Sequence, residues 1–398
     1  MPLSPALAAA SLCLVVITSL SASSLHAAPR TPGSDAEVLA TVPARRSDPR
    51  AREMAALRAA WRAWPQDQTA AVALAQRYFE EVAAEGDPRY IGYAQAVLQP
   101  WWALAQPPVA LRVLRAKLLQ FDHQFDAALA DLDAALVEQP TLGDAWAWRI
   151  AILMVSARYD EARSSCERLA PLAPPLVGAG CRAQVDAVSG RAAPAVAALR
   201  AALQRTPDAP AEERLWALTR LAETEERRGA FAAAEAAFRQ ALALGVPDVY
   251  LQAAYADFLL DRGRAGEVLV LLQEAGRADV LLLRLALAAR AAGDPRAPRL
   301  AEELAARFEA ARRRGDSTHQ KEESRFVLAL QGDTARALVL AQQNWAVQRE
   351  PADARVLLEA ALAARDAGAA APVLAWMASS RIESAALQTL VARLKALS

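Results

Sequence analysis

This 398-residue sequence has no excess of positive charge and almost no lysine. Forty-five Lys and Arg residues balance 45 Asp and Glu residues, so the formal net charge at pH 7 is zero. Proteins that bind nucleic acids usually carry a basic excess, which neutralises phosphate groups. The longest basic run here is only Arg312–Arg314. We therefore expect no nucleic-acid partner.

The sequence is also poor in the residues that carry catalysis or bind metals. It contains three histidines and three cysteines. His123 and His319 lie far apart, in a predicted turn and at a predicted helix start, so they do not form a set of zinc ligands. Gly-x-Ser-x-Gly and phosphate-binding glycine loops are absent. We therefore predict no catalytic residue, no metal and no cofactor.

Long apolar runs are absent except near the N-terminus. Leu12–Leu20 is apolar and is followed by small and polar residues. An apolar core of this length with small residues after it is typical of a secretory signal peptide. We predict a signal over residues 1–27 that is cleaved after Ala27, with cleavage after Ala28 as the alternative. The protein would then be periplasmic or secreted.

The segment after the predicted signal has a different composition. Residues 28–50 contain four prolines and few large apolar residues, which predicts a flexible linker. No segment beyond it contains 18 uninterrupted apolar residues. We therefore expect no membrane span once the signal is cleaved.

From residue 51 onward the apolar spacing is helical, and breaks come at regular intervals. Alanine and leucine dominate, which favours helices over strands. Four positions recur after 34 residues: Phe125, Asp126, Ala128 and Pro140 correspond to Tyr159, Asp160, Ala162 and Pro174. Small residues let helix axes approach closely, and large apolar residues fill the gaps beside them. The spacing predicts an all-α fold of stacked antiparallel helix pairs.

A 34-residue period built from these residues resembles the tetratricopeptide repeat (TPR) family, whose unit is a helix–turn–helix pair. The resemblance covers residues 68–380 and is strongest over 108–263. It implies an α-solenoid over 51–398, a right-handed superhelix of about nine pairs, with a closing helix at about 383–397. HEAT and armadillo units are longer, whereas Sel1-like units remain an alternative for the irregular end of the array. The chain also resembles exported, uncharacterised TPR proteins of proteobacteria.

The resemblance implies where a partner would bind. In TPR solenoids the first helix of each pair lines an inner groove, and aromatic residues beside charges suit a protein or peptide ligand. The register places eight residues toward this groove: Lys117, Phe121, Gln184, Trp216, Thr219, Glu223, Tyr250 and Asp257. Packing against neighbouring repeats is the alternative for Trp216 and Tyr250. The family's clamp for C-terminal carboxylates needs Asn and Lys or Arg, where this chain has Ala151, Gln184, Glu223 and Asp257.

Two cysteines follow the predicted signal. Cys166 falls in the second helix of one repeat, and Cys181 falls in the first helix of the next. Adjacent antiparallel helices can bring such positions together, so an oxidising compartment would allow a disulfide. A bridge requires Cα atoms within about 7 Å and would contribute about 3 kcal/mol. Two buried free thiols are the alternative.

These observations lead to one main functional hypothesis and two alternatives. The main hypothesis is a non-enzymatic periplasmic scaffold that binds a protein or peptide in an envelope-associated process. A purely structural spacer is the first alternative. The second is a cell-wall enzyme, because Glu323-Ser324 resembles the Glu-Ser motif of lytic transglycosylases, in which the Glu is a general acid and base. The Gly-Leu-Met-Gln stretch of that family is missing here, and too few residues follow for its catalytic domain.

Overall fold

The computed structural model describes one isolated residue and three long stretches of the chain: Ser34, 49–273, 278–315 and 318–397. The predicted signal and nearly all of the predicted linker lie outside these residues. The chain divides into two compact units, Met1–Ala51 and Arg52–Ser398. The packing described below belongs to the second unit.

The described residues form helices, with no strand among them. The first ten helices are α1 (Pro49–Ala63), α2 (Gln68–Glu85), α3 (Arg89–Trp102), α4 (Val109–Phe121), α5 (Phe125–Glu138), α6 (Gly143–Val155), α7 (Tyr159–Leu169), α8 (Pro175–Ala187), α9 (Ala192–Arg205) and α10 (Ala211–Arg227). The remaining helices are α11 (Phe231–Leu242), α12 (Val249–Leu260), α13 (Ala265–Leu271), α14 (Asp279–Ala292), α15 (Ala297–Arg313), α16 (Gln320–Phe326), α17 (Thr334–Val347), α18 (Pro351–Ala363), α19 (Ala371–Ser380) and α20 (Ala385–Lys395). None of them is long and apolar enough to cross a bilayer.

Helices α2 to α19 follow one another as nine pairs within the described residues. The two helices of a pair pack against each other, as in α4 with α5 and α10 with α11, and each pair also contacts the next. The predicted all-α solenoid of antiparallel helix pairs is therefore confirmed. Helix α20 lies within the predicted closing helix and packs against α18.

The sequence sets the ends of these helices through caps and turns. The carboxylate of Asp67 accepts hydrogen bonds from the Thr69 and Ala70 N–H groups in the first turn of α2, and that of Asp248 accepts one from the Leu251 N–H group in α12. Within the pairs, the turns of α10–α11 and α12–α13 contain Gly229 and Gly263, both with φ near +70°. At the same repeat position His123 adopts φ 58°. The repeat therefore keeps this left-handed turn even without glycine, which fits it best.

Small residues hold the helices of a pair close together. Ala128, Ala162 and Ala234, which recur at one register position, are completely buried. Between two consecutive pairs, Cys166 of α7 and Cys181 of α8 are joined by a disulfide, with Cα atoms 5.8 Å apart. Both sulfur-bearing residues are almost fully buried. The bridge thus links repeat to repeat, inside a continuous apolar core.

The C-terminal part of the chain covers part of the inner curve of the solenoid. The C-terminal segment, defined here as residues 348–395, folds back along the turns of the pairs α4–α5, α6–α7 and α8–α9. Four hydrogen bonds join it to residues in or beside these turns: Gln348 to His123 (2.8 Å), Arg349 to Val155 (2.8 Å), Trp376 to Tyr159 (3.0 Å) and Glu383 to Ala192 (3.2 Å). The backbone at Arg381 also lies close to Gly190. A Cβ atom at Gly190 would be 3.1 Å from the carbonyl oxygen of Arg381.

We predict opposite effects for two glycines that lie inside helices. A Cβ at Gly180 of α8 would overlap the indole ring of Trp216, whereas a Cβ at Gly92 of α3 would meet nothing within 4 Å. Gly180→Ala should lower the free energy of unfolding by about 1–3 kcal/mol, because it overpacks a buried contact. Gly92→Ala should raise it by about 0.5–1 kcal/mol through helix propensity. Urea denaturation measures both, and equal gains in the two variants would contradict the packing.

Candidate functional site

A cavity of about 690 Å³ lies inside the curve of the solenoid. We call it the central cavity. The first helices of seven consecutive pairs contribute to its wall, from α6 to α18, and α20 of the C-terminal segment completes it. The TPR resemblance assigns the first helices to the inner face, so the origin of this wall follows from the register. The part of the wall that comes from α20 of the C-terminal segment does not follow from the register.

Four of the eight predicted groove residues meet in the central cavity. Gln184, Glu223, Tyr250 and Asp257 line it, from α8, α10 and α12. Tyr250 is 49% exposed, and Phe231, at the start of α11, is 47% exposed and lines the same cavity. Half-exposed aromatic side chains among charges are typical of binding surfaces.

The other four predicted groove residues do not line this cavity. Lys117 is buried, and its Nζ lies 2.8 Å from Asp144 Oδ2. Thr219 is buried, and its hydroxyl donates to the carbonyl of Leu215 within α10. The remaining two pack against neighbouring helices. Phe121 packs against the apolar core formed by α1 to α4, and Trp216 packs over Gly180 of α8.

Asp257 joins three inner helices through a buried network of charges. Its carboxylate accepts hydrogen bonds from Arg284 of α14 at 2.6 Å and from Arg325 of α16 at 2.9 Å. Burial alone would raise the pKa of Asp257, but the two guanidinium groups outweigh it and hold the pKa well below its usual range. One carboxylate therefore ties α12, α14 and α16 together, and it has little capacity left for a ligand.

A second charge network attaches the C-terminal segment to α12. Arg355 of α18 donates to both carboxylate oxygens of Asp261, at 2.5 and 2.7 Å, and to Glu359 at 2.7 Å. Such bidentate pairs fix the orientation of both partners. The wall of the cavity is thus held in place by ion pairs that bridge separate helices.

Aromatic rings and guanidinium groups stack on one another in the same wall. The Tyr250 hydroxyl donates to Glu223 Oε1 at 2.5 Å, and the guanidinium of Arg220 lies 4.5 Å from the Tyr250 ring centroid. The guanidinium of Arg262 lies 3.8 Å from the ring centroids of both Phe231 and Phe258. Cation–π stacking of this kind holds the half-exposed rings in defined positions.

Glu226 has an unusual protonation equilibrium for a carboxyl group. Burial, and to a lesser extent the nearby charge of Asp261, raise its pKa to about 7, although Arg262 opposes them. The Arg262 guanidinium is 3.7 Å away, too far for a hydrogen bond. At neutral pH the charge of this part of the wall is therefore sensitive to its surroundings.

The enzyme alternative rested on Glu323, which the structure places away from the cavity. Its side chain is buried, and its Oε1 forms ion pairs with both Arg312 and Arg336. Ser324 donates its hydroxyl to the carbonyl of Ala337. Among the described residues, no group of three or more His, Cys, Asp or Glu side chains is placed to hold a metal ion.

Several residues of the cavity wall were not predicted from the sequence. Arg227 lies one helical turn beyond Glu223 on α10, so the repeat register contains a signal for it. Glu350, Arg355 and Leu387 come from the C-terminal segment, and no sequence pattern indicates that this segment folds back.

We predict that Glu226 makes stability depend on pH. Because the pKa is raised from 4.5 to about 7 only in the folded state, ionisation penalises folding. The penalty is absent below about pH 4.5, grows between pH 4.5 and pH 7, and levels off above pH 7. Relative to the unmodified protein, Glu226→Gln should gain about 1–3 kcal/mol in unfolding free energy between pH 5 and pH 8. Urea titrations at several pH values measure this. Glu212→Gln, exposed on the same helix, serves as the control, and a pH-independent difference for Glu226→Gln would contradict the prediction.

Comparison with known proteins adds little beyond the fold. No protein-family model matches the chain, and no curated protein sequence matches it. The APC/C hetero-tetramer Cut9-Hcn1 is similar over 83% of this chain, with 14% identity and a TM-score of 0.46, and the chain spans only 63% of that chain's length. The human IFIT1 dimer with m7Gppp-AAAA is similar over 87% of this chain and 86% of its own, with 12% identity and a TM-score of 0.46. The 34-residue register and the helix pairs described above make this chain an α-solenoid of antiparallel helix pairs.

Proposed function

We propose that this protein is a non-catalytic, exported scaffold that binds a protein or peptide partner in an envelope-associated assembly. Export is supported by the apolar run Leu12–Leu20 and the small residues after it. A binding role is supported by the solenoid itself, because stacked repeats present one continuous concave surface to a ligand. The partner is proposed to contact the wall of the central cavity.

One observation carries the binding proposal. Tyr250 and Phe231 each leave about half of their surface exposed, although both lie within a concave wall beside charged residues. Burying a large aromatic side chain is strongly favourable, so an interface that covers these two rings would gain considerable affinity. Because Arg220 and Arg262 already hold the rings in place, a partner would lose little side-chain entropy on binding.

We predict site-dependent crosslinking to a partner in cells. A photoreactive phenylalanine analogue such as p-benzoylphenylalanine replaces Tyr250 in one variant and Val270 in another. Val270 is 70% exposed on α13, the second helix of its pair, and does not line the cavity. Illumination should produce a defined adduct from position 250 and none from position 270, as read by mass spectrometry. Equal adducts at both positions, or none at either, would count against the proposal.

The export proposal has its own test. Protein recovered from the periplasmic fraction of a Gram-negative host should begin at Ala28, after loss of residues 1–27, or at Pro29 if cleavage follows Ala28. N-terminal sequencing distinguishes the two. A Leu14→Arg variant interrupts the apolar run and should retain the uncleaved precursor in the cytoplasm. Recovery of the full-length chain in the cytoplasm for both proteins would overturn the location.

A further inference from the structure

The charged residues in the wall of the central cavity largely neutralise one another. Among its carboxylates, Asp257, Asp261, Glu223, Glu226 and Glu359 each lie within 4 Å of an arginine. The sixth, Glu350, uses its side chain in the capping box at the start of α18. The carboxylates of the wall therefore form ion pairs with its own arginines or cap a helix. A positive side chain without a carboxylate partner is an exception in this wall.

Arg227 is such a group. Its Nη2 donates to the hydroxyl of Thr224 at 3.2 Å, while its buried Nε has no acceptor. Among the described residues, no carboxylate lies within 4 Å of its guanidinium. Burial lowers the pKa of Arg227, and Glu223 and Glu226 offset this only in part. A cation that is enclosed without a counterion costs folding free energy, and an anion bound beside it would recover that cost.

A helix N-terminus faces the same cavity. Residues 384–387, the cap and first turn of α20, contribute to the wall, and so does Arg393. The Ser384 hydroxyl accepts a long hydrogen bond from the Leu387 N–H, at 3.4 Å. The first N–H groups of an α-helix have no partner inside the helix and attract anions. This end of α20 therefore adds a second source of positive potential to that of Arg227.

The rest of the wall suits an apolar body. Leu387, Leu390, Met154 and Val188 line the cavity together with the exposed ring of Phe231. The volume of about 690 Å³ lies within the range of roughly 300–1,000 Å³ that is usual for small-molecule sites. A compact ligand therefore fits within this space.

We infer that the central cavity binds a small amphipathic anion, whose acidic head contacts Arg227 and the N-terminus of α20 and whose apolar body contacts Phe231 and the aliphatic wall. This inference rests on the proposed function only in treating the cavity as a binding site. The ligand would complete the charge balance of the wall. It is bound without covalent change, so no reaction is implied.

A matched pair of fluorescent probes tests the inference on the purified chain. 8-Anilinonaphthalene-1-sulfonate carries an anionic head on a naphthalene ring, and N-phenyl-1-naphthylamine has the same body without the charge. The native protein should bind one sulfonate probe per chain, more tightly than the uncharged probe. Arg227→Gln should weaken the sulfonate probe about tenfold or more, because a charged hydrogen bond is lost, and should change the uncharged probe less than twofold.

Two further variants separate the site from general effects. Arg227→Lys keeps the charge and should retain part of the affinity. Arg313→Gln removes an arginine whose side chain is 78% exposed outside the cavity, and it should leave both probes unchanged. Arg227 has no carboxylate of the described residues within 4 Å, so its removal should not lower the melting temperature of the probe-free protein, and a loss of binding in Arg227→Gln would not reflect unfolding.

Three results would overturn the inference: no saturable binding of the sulfonate probe, equal affinity for the two probes, or unchanged affinity in Arg227→Gln. The small-ligand site and the proposed scaffold can be tested independently of each other. If the probes fail while Tyr250 crosslinks a partner in cells, the scaffold stands and the small-ligand site falls. Arg227-dependent binding without a crosslinked partner would give the reverse conclusion.

Discussion

The contact between the C-terminal segment and the turns of the second to fourth helix pairs is the constraint on which the inner face depends. A solenoid of paired helices ordinarily presents an open concave surface. Here the bonds from Trp376 to Tyr159 and from Arg349 to the backbone of Val155 place α18 and α20 inside the curve. The groove becomes a cavity, and the residues that line it come from helices as far apart in sequence as α6 and α20.

Charge holds this closed arrangement as much as apolar packing does. Asp257 and Asp261 lie on one turn of chain at the end of α12, yet they bind arginines from α14, α16 and α18. Breaking a buried pair by removing one partner leaves the other charge unpaired, which is strongly destabilising. The wall therefore has little tolerance for change at Asp257 and Asp261. The wall has more tolerance for change at Arg227, which pairs with no carboxylate among the described residues. This contrast is the reason to assign Arg227 to a ligand.

Much of the fold could be predicted, because the repeat imposes a local pattern. Ala128, Ala162 and Ala234 are fully buried at the helix crossings where a 34-residue period requires small side chains. The left-handed turns at Gly229 and Gly263 coincide with the breaks in apolar spacing. Half of the groove prediction reaches the cavity, since Gln184, Glu223, Tyr250 and Asp257 follow from the same register. Lys117 and Thr219 lie on the correct helices, but their neighbours bury them.

The sequence by itself determined the class of fold, the register and the helices that form the inner face, because helix propensity, turn glycines and small residues act over short distances along the chain. The tertiary structure alone decided that the C-terminal segment covers part of the inner curve, that Asp257 pairs with two arginines and that Arg227 has no carboxylate within 4 Å in the part of the chain that the structure describes. These features depend on contacts between residues that lie far apart in sequence, such as Asp257 with Arg325 and Glu383 with Ala192. The repeating pattern of the sequence does not indicate such contacts.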